Sequence, residues 1–265
     1  MIRINRSHPL ASGLQNWWLM APADLGTGVS VLDIARKVRH ATASNLAQSG
    51  PRSGRSSLAF PTAFTLASVP VFVSPLTVSC WCCPGVLTRG DLVTRWVNGG
   101  DNTPTAAGDQ YNLLYGNTSG KPQFYTAIGT LGTAMGTSTG STTMAVGRWH
   151  HVVGTHDGAT ASCYLDGVLQ GTVSMIMNSS PSTDLKFGDN HGGDGAYTGK
   201  MSDVATWARC LSAADVAQLN AEGRAGYPNL LIRDRPLSAL YAAIPQGRFK
   251  RLGMDGGFPA YAGGF

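Results

Sequence analysis

Glutamate is almost missing from this chain: one Glu (Glu222) and five Lys occur in 265 residues, of which only 35 are charged. Helix-rich proteins fill their exposed faces with those two residues, so this scarcity argues against a long-helical architecture. No run of about eighteen apolar residues exists, which excludes a transmembrane helix. The opening Met1-Ile2-Arg3-Ile4-Asn5-Arg6 leads into no apolar stretch with a cleavage site, so no signal peptide is expected. The five cysteines (Cys80, Cys82, Cys83, Cys163, Cys210) are odd in number and lack the paired spacing of a zinc site, which reads as reduced, packed thiols. Also missing are a phosphate-binding loop and an H-E-x-x-H helix. His150-His151 cannot replace a metal motif, because neighbours on a strand point to opposite faces; one packed and one solvated imidazole is expected.

What the chain has in quantity is Gly (34 residues) and apolar side chains (43%), enough to bury a core. Together with frequent Ser and Thr this reads as short strands joined by tight turns. Leu76-Thr77-Val78-Ser79-Cys80-Trp81-Cys82-Cys83 alternates and stops at Pro84-Gly85, predicting a strand with one face in a core, with Cys80 and Cys82 on the same face. Further strands are expected near Gln110–Tyr115 and Gln123–Ile128. The run 147–155 turns at Asp157-Gly158, returns through Ala161–Leu165, and turns again at Asp166-Gly167 into Val168–Val173. Asp-Gly is a strong hairpin signal, so three consecutive strands are predicted. Helical signal appears once: Ser212-Ala213-Ala214-Asp215 has the form of a capping box, Val216 and Leu219 give an apolar stripe, and Gly223 sits at the expected cap.

Charge divides the chain in three. Residues 1–60 carry seven Lys/Arg against two Asp, residues 61–222 seven against eleven acids, and residues 223–265 six against two. Basic ends flank an acidic middle, and the extent of the motif resemblance, residues 8–223, implies an N-terminal arm (1–7), a folded body (8–223) and an extended C-terminal arm (224–265). Candidate docking residues on the arms are Arg3, Arg6, Arg233, Arg235, Arg248, Phe249, Lys250, Arg251, Phe258, Tyr261 and Phe265, as charges for acidic surface and apolar anchors.

Trp149-His150-His151-Val152-Val153, Thr155, Asp157-Gly158 and Tyr164-Leu165-Asp166-Gly167 resemble the laminin-G-like, or concanavalin A-like, jelly roll. Gly188-Asp189-Asn190, Tyr197–Val204 and Trp207–Ser212 resemble its closing strands, Leu76–Trp81 an inner strand, and Ser57–Phe60 the edge strand before it. His8–Trp18 resembles the opening strand of this domain in tailed-bacteriophage structural proteins. The implied fold is all-β, a two-sheet antiparallel sandwich with one short helix near 212–222 and extended terminal arms, with Trp81, Trp149 and Trp207 packed in its core.

The resemblance implies a non-enzymatic virion component, such as a capsid decoration protein, made in a bacterial cytoplasm and held to other capsid proteins or copies of itself by its arms. Its alternative is a carbohydrate-binding module for a host glycan, with Asp189, Asn190 and Tyr197, or Tyr111 and Tyr115, forming the site. Glucanase members of the fold need paired carboxylates about 5 Å apart, whereas here the single Glu lies on the predicted helix and the Asp residues are scattered in turns. No catalytic residue and no membrane partner are expected. The basic ends permit phosphate contact, but no nucleic-acid recognition element is visible. No cofactor is expected beyond calcium, for which Asp189, Asn190 and Asp194 are the candidate ligands; Pro61-Thr62 and Ala21–Asp24 depart from the calcium-binding pattern. Thermal melting across a calcium titration checks the loop. An ion held only by the native state raises Tm, and an unchanged Tm at millimolar calcium rejects it.

Overall fold

Alternation along residues 76–83 sends Leu76, Val78, Cys80 and Cys82 to one side of the strand and Trp81 to the other. Both sides are filled. All nine residues of Leu76–Pro84 are buried, which corrects the expectation of one buried face. The reason lies in what covers the second side, and the topology supplies it.

The computed structural model describes residues 2–19, 29–36, 38–43, 47–52, 55–60, 64–66, 69, 71, 73–96, 109–116, 119–127, 135–178, 184–189 and 195–233. Its strands are β1 (Ile2–Ile4), β2 (Leu14–Trp18), β3 (Val29–Asp33), β4 (Val38–Ala43), β5 (Ala47–Arg52), β6 (Arg55–Phe60), β7 (Phe64–Leu66), β8 (Leu76–Pro84) and β9 (Gly90–Arg95). They continue with β10 (Tyr111–Tyr115), β11 (Pro122–Ala127), β12 (Met135–Thr139), β13 (His150–His156), β14 (Thr160–Leu165), β15 (Val168–Ser174), β16 (Leu185–Phe187) and β17 (Gly199–Trp207). Helix α1 (Ala213–Arg224) and β18 (Leu231–Arg233) follow. One sheet has six strands in the order β12-β11-β10-β9-β16-β7; the larger runs β15-β14-β13-β8-β17-β2-β3-β4, with β6 paired to β17 and β5 to β6. Every pairing among the described strands is antiparallel. No helix among the described residues is long and apolar enough to cross a membrane.

Between the sheets lies the main core, where Leu92, Val93, Tyr111, Leu113 and Phe124 meet Val78, Cys80, Val152, Cys163 and Val204. A second core sits on the outer face of the larger sheet. Trp17, Trp81, Trp207 and Tyr164 pack there against Val216 and Leu219 of α1, Leu10, Tyr227, and Ile4 and Leu231 of the small β1–β18 sheet. Trp81 donates its indole N–H to Tyr227 Oη at 2.8 Å, and Trp207 donates to Leu10 O at 2.7 Å. Trp149 packs on this second core while only partly buried.

The second core changes the reading of the chain ends. Ile2–Ile4 pairs residue for residue with Leu231–Arg233, Asn5 donates to Leu230 O and Asn229 O, and Arg6 donates to Ala35 O at 2.8 Å. Residues 2–7 and 224–233 are therefore built into the folded body, because their apolar side chains complete the cover over the tryptophans. Arg3 stands opposite Ile232 in that pairing, and Arg233 ends it. Arg235, Arg248, Phe249, Lys250, Arg251, Phe258, Tyr261 and Phe265 lie outside the described residues.

Both Asp-Gly turns form. Asp166 (φ +52°) and Gly167 (φ +85°) are both left-handed, the backbone that a two-residue hairpin between twisted strands requires. The Asp166 carboxylate accepts the His151 backbone N–H at 2.9 Å and faces Arg224 at 3.1 Å. His150 Nε2 accepts from Ala145 N–H, so its proton sits on Nδ1, which donates to Asp166 at 2.8 Å. The expected solvated histidine does not exist: His150 is 9% exposed, and His151 is fully buried, stacked on Trp81 with ring centroids 4.9 Å apart.

The helix forms with its capping box, each of Ser212 and Asp215 bonding the other's backbone N–H at 3.1 Å. Its end falls later than expected. Gly223 is helical, and Gly226 (φ +81°) makes the turn, with Tyr227 N–H on Glu222 O at 2.7 Å and Gly226 N–H on Gly223 O at 3.1 Å. Gly223 is needed for closeness instead, since a Cβ there would lie 2.7 Å from Trp81 Cζ2. The single glutamate is structural too: Glu222 accepts from His8 Nε2 at 2.7 Å, while His8 Nδ1 accepts from Leu10 N–H.

Gly223→Ala gains about 1 kcal/mol of helix propensity but overpacks a buried indole, at a cost of about 1–3 kcal/mol. The net expectation is a lower Tm, measured by calorimetry; an unchanged or raised Tm contradicts the close packing of α1 on Trp81. A second expectation concerns acid. Burial raises the Asp166 carboxyl, but bonds from His150 and the His151 backbone outweigh it and hold it below its ordinary 3.8. Asp215 is held low against burial by Arg209 and Ser212, and Asp157 by the backbone N–H groups of Ala159 and Thr160. The stability these groups contribute is complete above pH about 4 and is lost as pH falls through their lowered folded values. Tm measured against pH should fall below that point, and Asp166→Asn should flatten the decline.

Candidate functional site

Strands β9, β10 and β11 present alternate residues to the two sides of the smaller sheet. Val93, Leu113 and Phe124 enter the main core, so Thr94, Asn112, Leu114, Gln123 and Tyr125 beside them face outward; Leu92, at a bulge in the β9–β10 pairing, joins Val93 in the core. Register then fixes what stands beside what. Lys186 of β16 pairs with Thr94 of β9, Thr94 with Asn112 of β10, Asn112 with Tyr125 of β11, and Tyr125 with Thr137 of β12. These five residues form one transverse row on the outer face, crossing five strands over about 19 Å at about 4.8 Å per step.

Side chains flanking the row complete a mixed polar and aromatic layer, most of it buried. Trp96, Leu114, Tyr125 and Ala127 form an apolar cluster of their own, with the Trp96 and Tyr125 rings 6.2 Å apart and tilted by 44°. Arg89 grips Asp91 in a bidentate pair, Nε to Oδ1 and an Nη to Oδ2, both 3.1 Å. Tyr125 Oη donates to Gln123 Oε1 and Gln123 Nε2 donates to Thr139 Oγ1, each at 3.2 Å. Burial pushes the Tyr125 phenol above its ordinary pKa; the Arg89 charge opposes this and the Asp91 charge adds to it.

The centre of the row is enclosed and its flanks are accessible. Thr94, Trp96 and Asn112 are fully buried, whereas Lys186, Gln123 and Thr137 are half-buried and Thr139 is exposed. The enclosed centre holds polar atoms without partners: Thr94 Oγ1, Trp96 Nε1, and both Oδ1 and Nδ2 of Asn112. Buried polar atoms are ordinarily satisfied, and these are four of the eleven buried side-chain atoms without a hydrogen-bond partner among the described residues.

The residues read from sequence as a sugar site are arranged differently. Tyr197, Tyr111 and Tyr115 point into the main core between the two sheets, away from the row. Tyr197 Oη instead accepts from Cys83 N–H and donates to Lys200 O, and burial raises its pKa. Asp189 is buried, accepts from Gly195 N–H at 3.0 Å, and faces Lys186 Nζ at 3.7 Å. That lysine already supplies the positive charge a calcium ion would bring. Asn190 and Asp194 lie outside the described residues, and among the described residues no group of three or more His, Cys, Asp or Glu could hold a metal. Sequence reading passed over Thr94, Trp96, Asn112 and Tyr125; the polar residues alternating with Val93, Leu113 and Phe124 were the available signal.

Residues 58–217 match the family model described as the concanavalin A-like lectin/glucanases superfamily. The chain belongs to this superfamily. A curated relative, the adhesion G-protein coupled receptor V1 of Danio rerio, is 26% identical over 186 residues, which is 69% of this chain and 3% of the receptor. Domain 4 of a GH43 extracellular arabinanase from Geobacillus stearothermophilus, solved with arabinotriose, superposes with a TM-score of 0.59 at 14% identity, covering 78% of this chain and 98% of that domain. The botulinum neurotoxin serotype D ligand-binding domain, solved with N-acetylneuraminic acid, gives 0.57 at 10% identity, covering 80% of this chain and 52% of that one. These likenesses establish the two-sheet concanavalin A-like fold for the superfamily member described here. The chain spans a small part of the receptor and about half of the toxin domain.

Proposed function

We propose that this protein is a carbohydrate-binding module that holds a glycan along the transverse row on the outer face of its smaller sheet. The observation that carries the reading is the row itself: Lys186, Thr94, Asn112, Tyr125 and Thr137 in register, beside the Trp96–Tyr125 apolar cluster, with partnerless hydrogen-bonding atoms at its centre. Sugars present hydroxyls and apolar ring faces together, and a surface alternating amide, hydroxyl and aromatic groups complements both. The solved relatives with arabinotriose and N-acetylneuraminic acid support it as proteins of the same fold that hold sugars.

Attachment to a virion as a structural component, the leading expectation from the sequence, has less behind it. It rested on the opening segment His8–Trp18 and on basic arms; residues 2–7 and 224–233 are engaged in covering the second core, and residues 234–265 lie outside the described residues.

A glycan array followed by calorimetry on the full chain is expected to find ligands at micromolar affinity. Thr137→Trp, which places a bulky ring at the accessible end of the row, should weaken binding at least tenfold, about 1.4 kcal/mol. Ala214→Trp, on exposed α1 across the sandwich, should leave affinity unchanged. Absence of any glycan ligand, or equal effects of the two substitutions, sinks the proposal.

A further inference from the structure

Seven large apolar side chains are exposed among the described residues, and four of them stand at one end of the sandwich. Strand pairing defines that end. β8 finishes at Pro84 beside Gly199, where β17 starts; His150, the start of β13, pairs with Cys82; and β14 ends at Leu165, opposite Val152, before the Asp166-Gly167 turn. The loops there carry Val86 and Val146, 40% and 52% exposed, and the turn delivers Val168 and Leu169 at the head of β15, 61% and 48% exposed. Backbone bonds tie these loops together: Gly147 N–H donates to Pro84 O and Gly85 N–H to Thr198 O, both at 2.8 Å, and Met144 N–H donates to Gly120 O at 2.9 Å. The aliphatic tips are held in place before anything binds, so little ordering is required of them on contact.

Charge at the same end is left over in one sign. Its carboxylates Asp91, Asp166 and Asp189 are each matched by a base: Arg89 and Arg224 at 3.1 Å and Lys186 at 3.7 Å. Lys121, Arg148 and Lys200 stand on the loops beside the aliphatic residues and, among the described residues, pair with no carboxylate. Arg148 and Lys200 are exposed and Lys121 is half-buried, with the exposed hydroxyls of Thr88, Thr143 and Thr198 on the same loops.

We infer that this end docks on an anionic lipid surface, with Val86, Val146, Val168 and Leu169 entering the boundary between headgroups and acyl chains while Lys121, Arg148 and Lys200 pair with the lipid anions. The contact is peripheral. A sequence without a spanning segment led to no membrane partner, but a contact of this kind needs none, and no described helix could cross a bilayer. Composition favours lipid over protein as the occupant. Hot spots for protein partners are dominated by Trp, Tyr and Arg, with Val, Leu, Ser and Thr under-represented, whereas the apolar residues exposed here are Val and Leu among hydroxyls. A fluid lipid boundary accepts aliphatic tips without a shaped pocket, and the unmatched cations complement its charge. This surface is separate from the transverse row, so the inference goes beyond the glycan-binding reading and does not depend on it.

The experiment sediments the full chain with vesicles of phosphatidylcholine alone and of phosphatidylcholine containing about one third phosphatidylserine. The expected result is binding roughly tenfold or more tighter to the anionic vesicles, weakened about fivefold by Arg148→Gln and by a similar factor by Lys200→Gln. Val86→Ser combined with Val146→Ser, both at exposed positions outside the core, should weaken binding about tenfold. Val71→Ser combined with Val73→Ser, ahead of β8 and so at the opposite end, should leave it unchanged. Equal binding to the two vesicle types, binding to neither, or equal effects of the two valine pairs overturns the inference. Weakening by Arg148→Gln with none from the Val86 and Val146 pair also overturns it, because charge alone then makes the contact and an acidic protein would serve as well. Should that pair lower the Tm, Val146→Glu alone decides: weakened binding to the anionic vesicles supports the inference and unchanged binding rejects it.

Discussion

Trp81 stands near the middle of the larger sheet, its indole N–H bonded to Tyr227, its ring stacked on His151 and its edge pressed against Gly223. A residue of that size on the outer face of a sheet has to be covered, and the covering layer sets much of the remaining architecture. It requires a helix with a glycine at the contact, a left-handed exit at Gly226 that swings Tyr227 back over the ring, and a last strand that finds its partner in the first. Trp17 and Trp207 extend the same demand, with Trp17 4.8 Å from Tyr227 and 6.2 Å from Trp207 by ring centroid. The result is three layers, two sheets and a cap, where a plain sandwich has two.

Much of this was legible in the sequence. The two Asp-Gly turns, the capping box at Ser212 and the strand at 76–84 follow from local chemistry, and the order of motifs led to the lectin-like fold. What local reading could not supply was the second covered face. Alternation in Leu76–Cys83 shows two sides but not whether the Trp81 side meets water or a helix more than a hundred residues away. The same limit explains the chain ends: Ile2, Ile4 and Leu231 look like sparse apolar residues in basic arms until the tryptophans they cover are known. It explains the histidines as well, since His150 is enclosed by Asp166 and the Ala145 backbone, neither of which adjoins it in sequence.

The site was the least legible part. Tyrosine was the natural choice for a sugar platform, but Tyr111, Tyr115 and Tyr197 occupy inward positions, and only register distinguishes them from outward Tyr125. Asn112 sits between two inward residues of a five-residue strand and carries no motif. Its significance comes from neighbours on other strands and from what its amide does not touch, and neither property belongs to any stretch of sequence. Conversely, the most conspicuous acidic residue, the single Glu222, uses Oε1 to fix His8 and the N-terminal turn to the helix.

The pairing of β1 with β18 also determines how the module is held. Residues 2 and 233 lie side by side in one two-stranded ribbon on the capped side of the larger sheet, whereas the polar row lies on the far side of the smaller one. The first strand begins and the last described strand ends at a single place on the capped side. A tether at that place lies across both sheets from the row, so a mount there does not compete with the row for space.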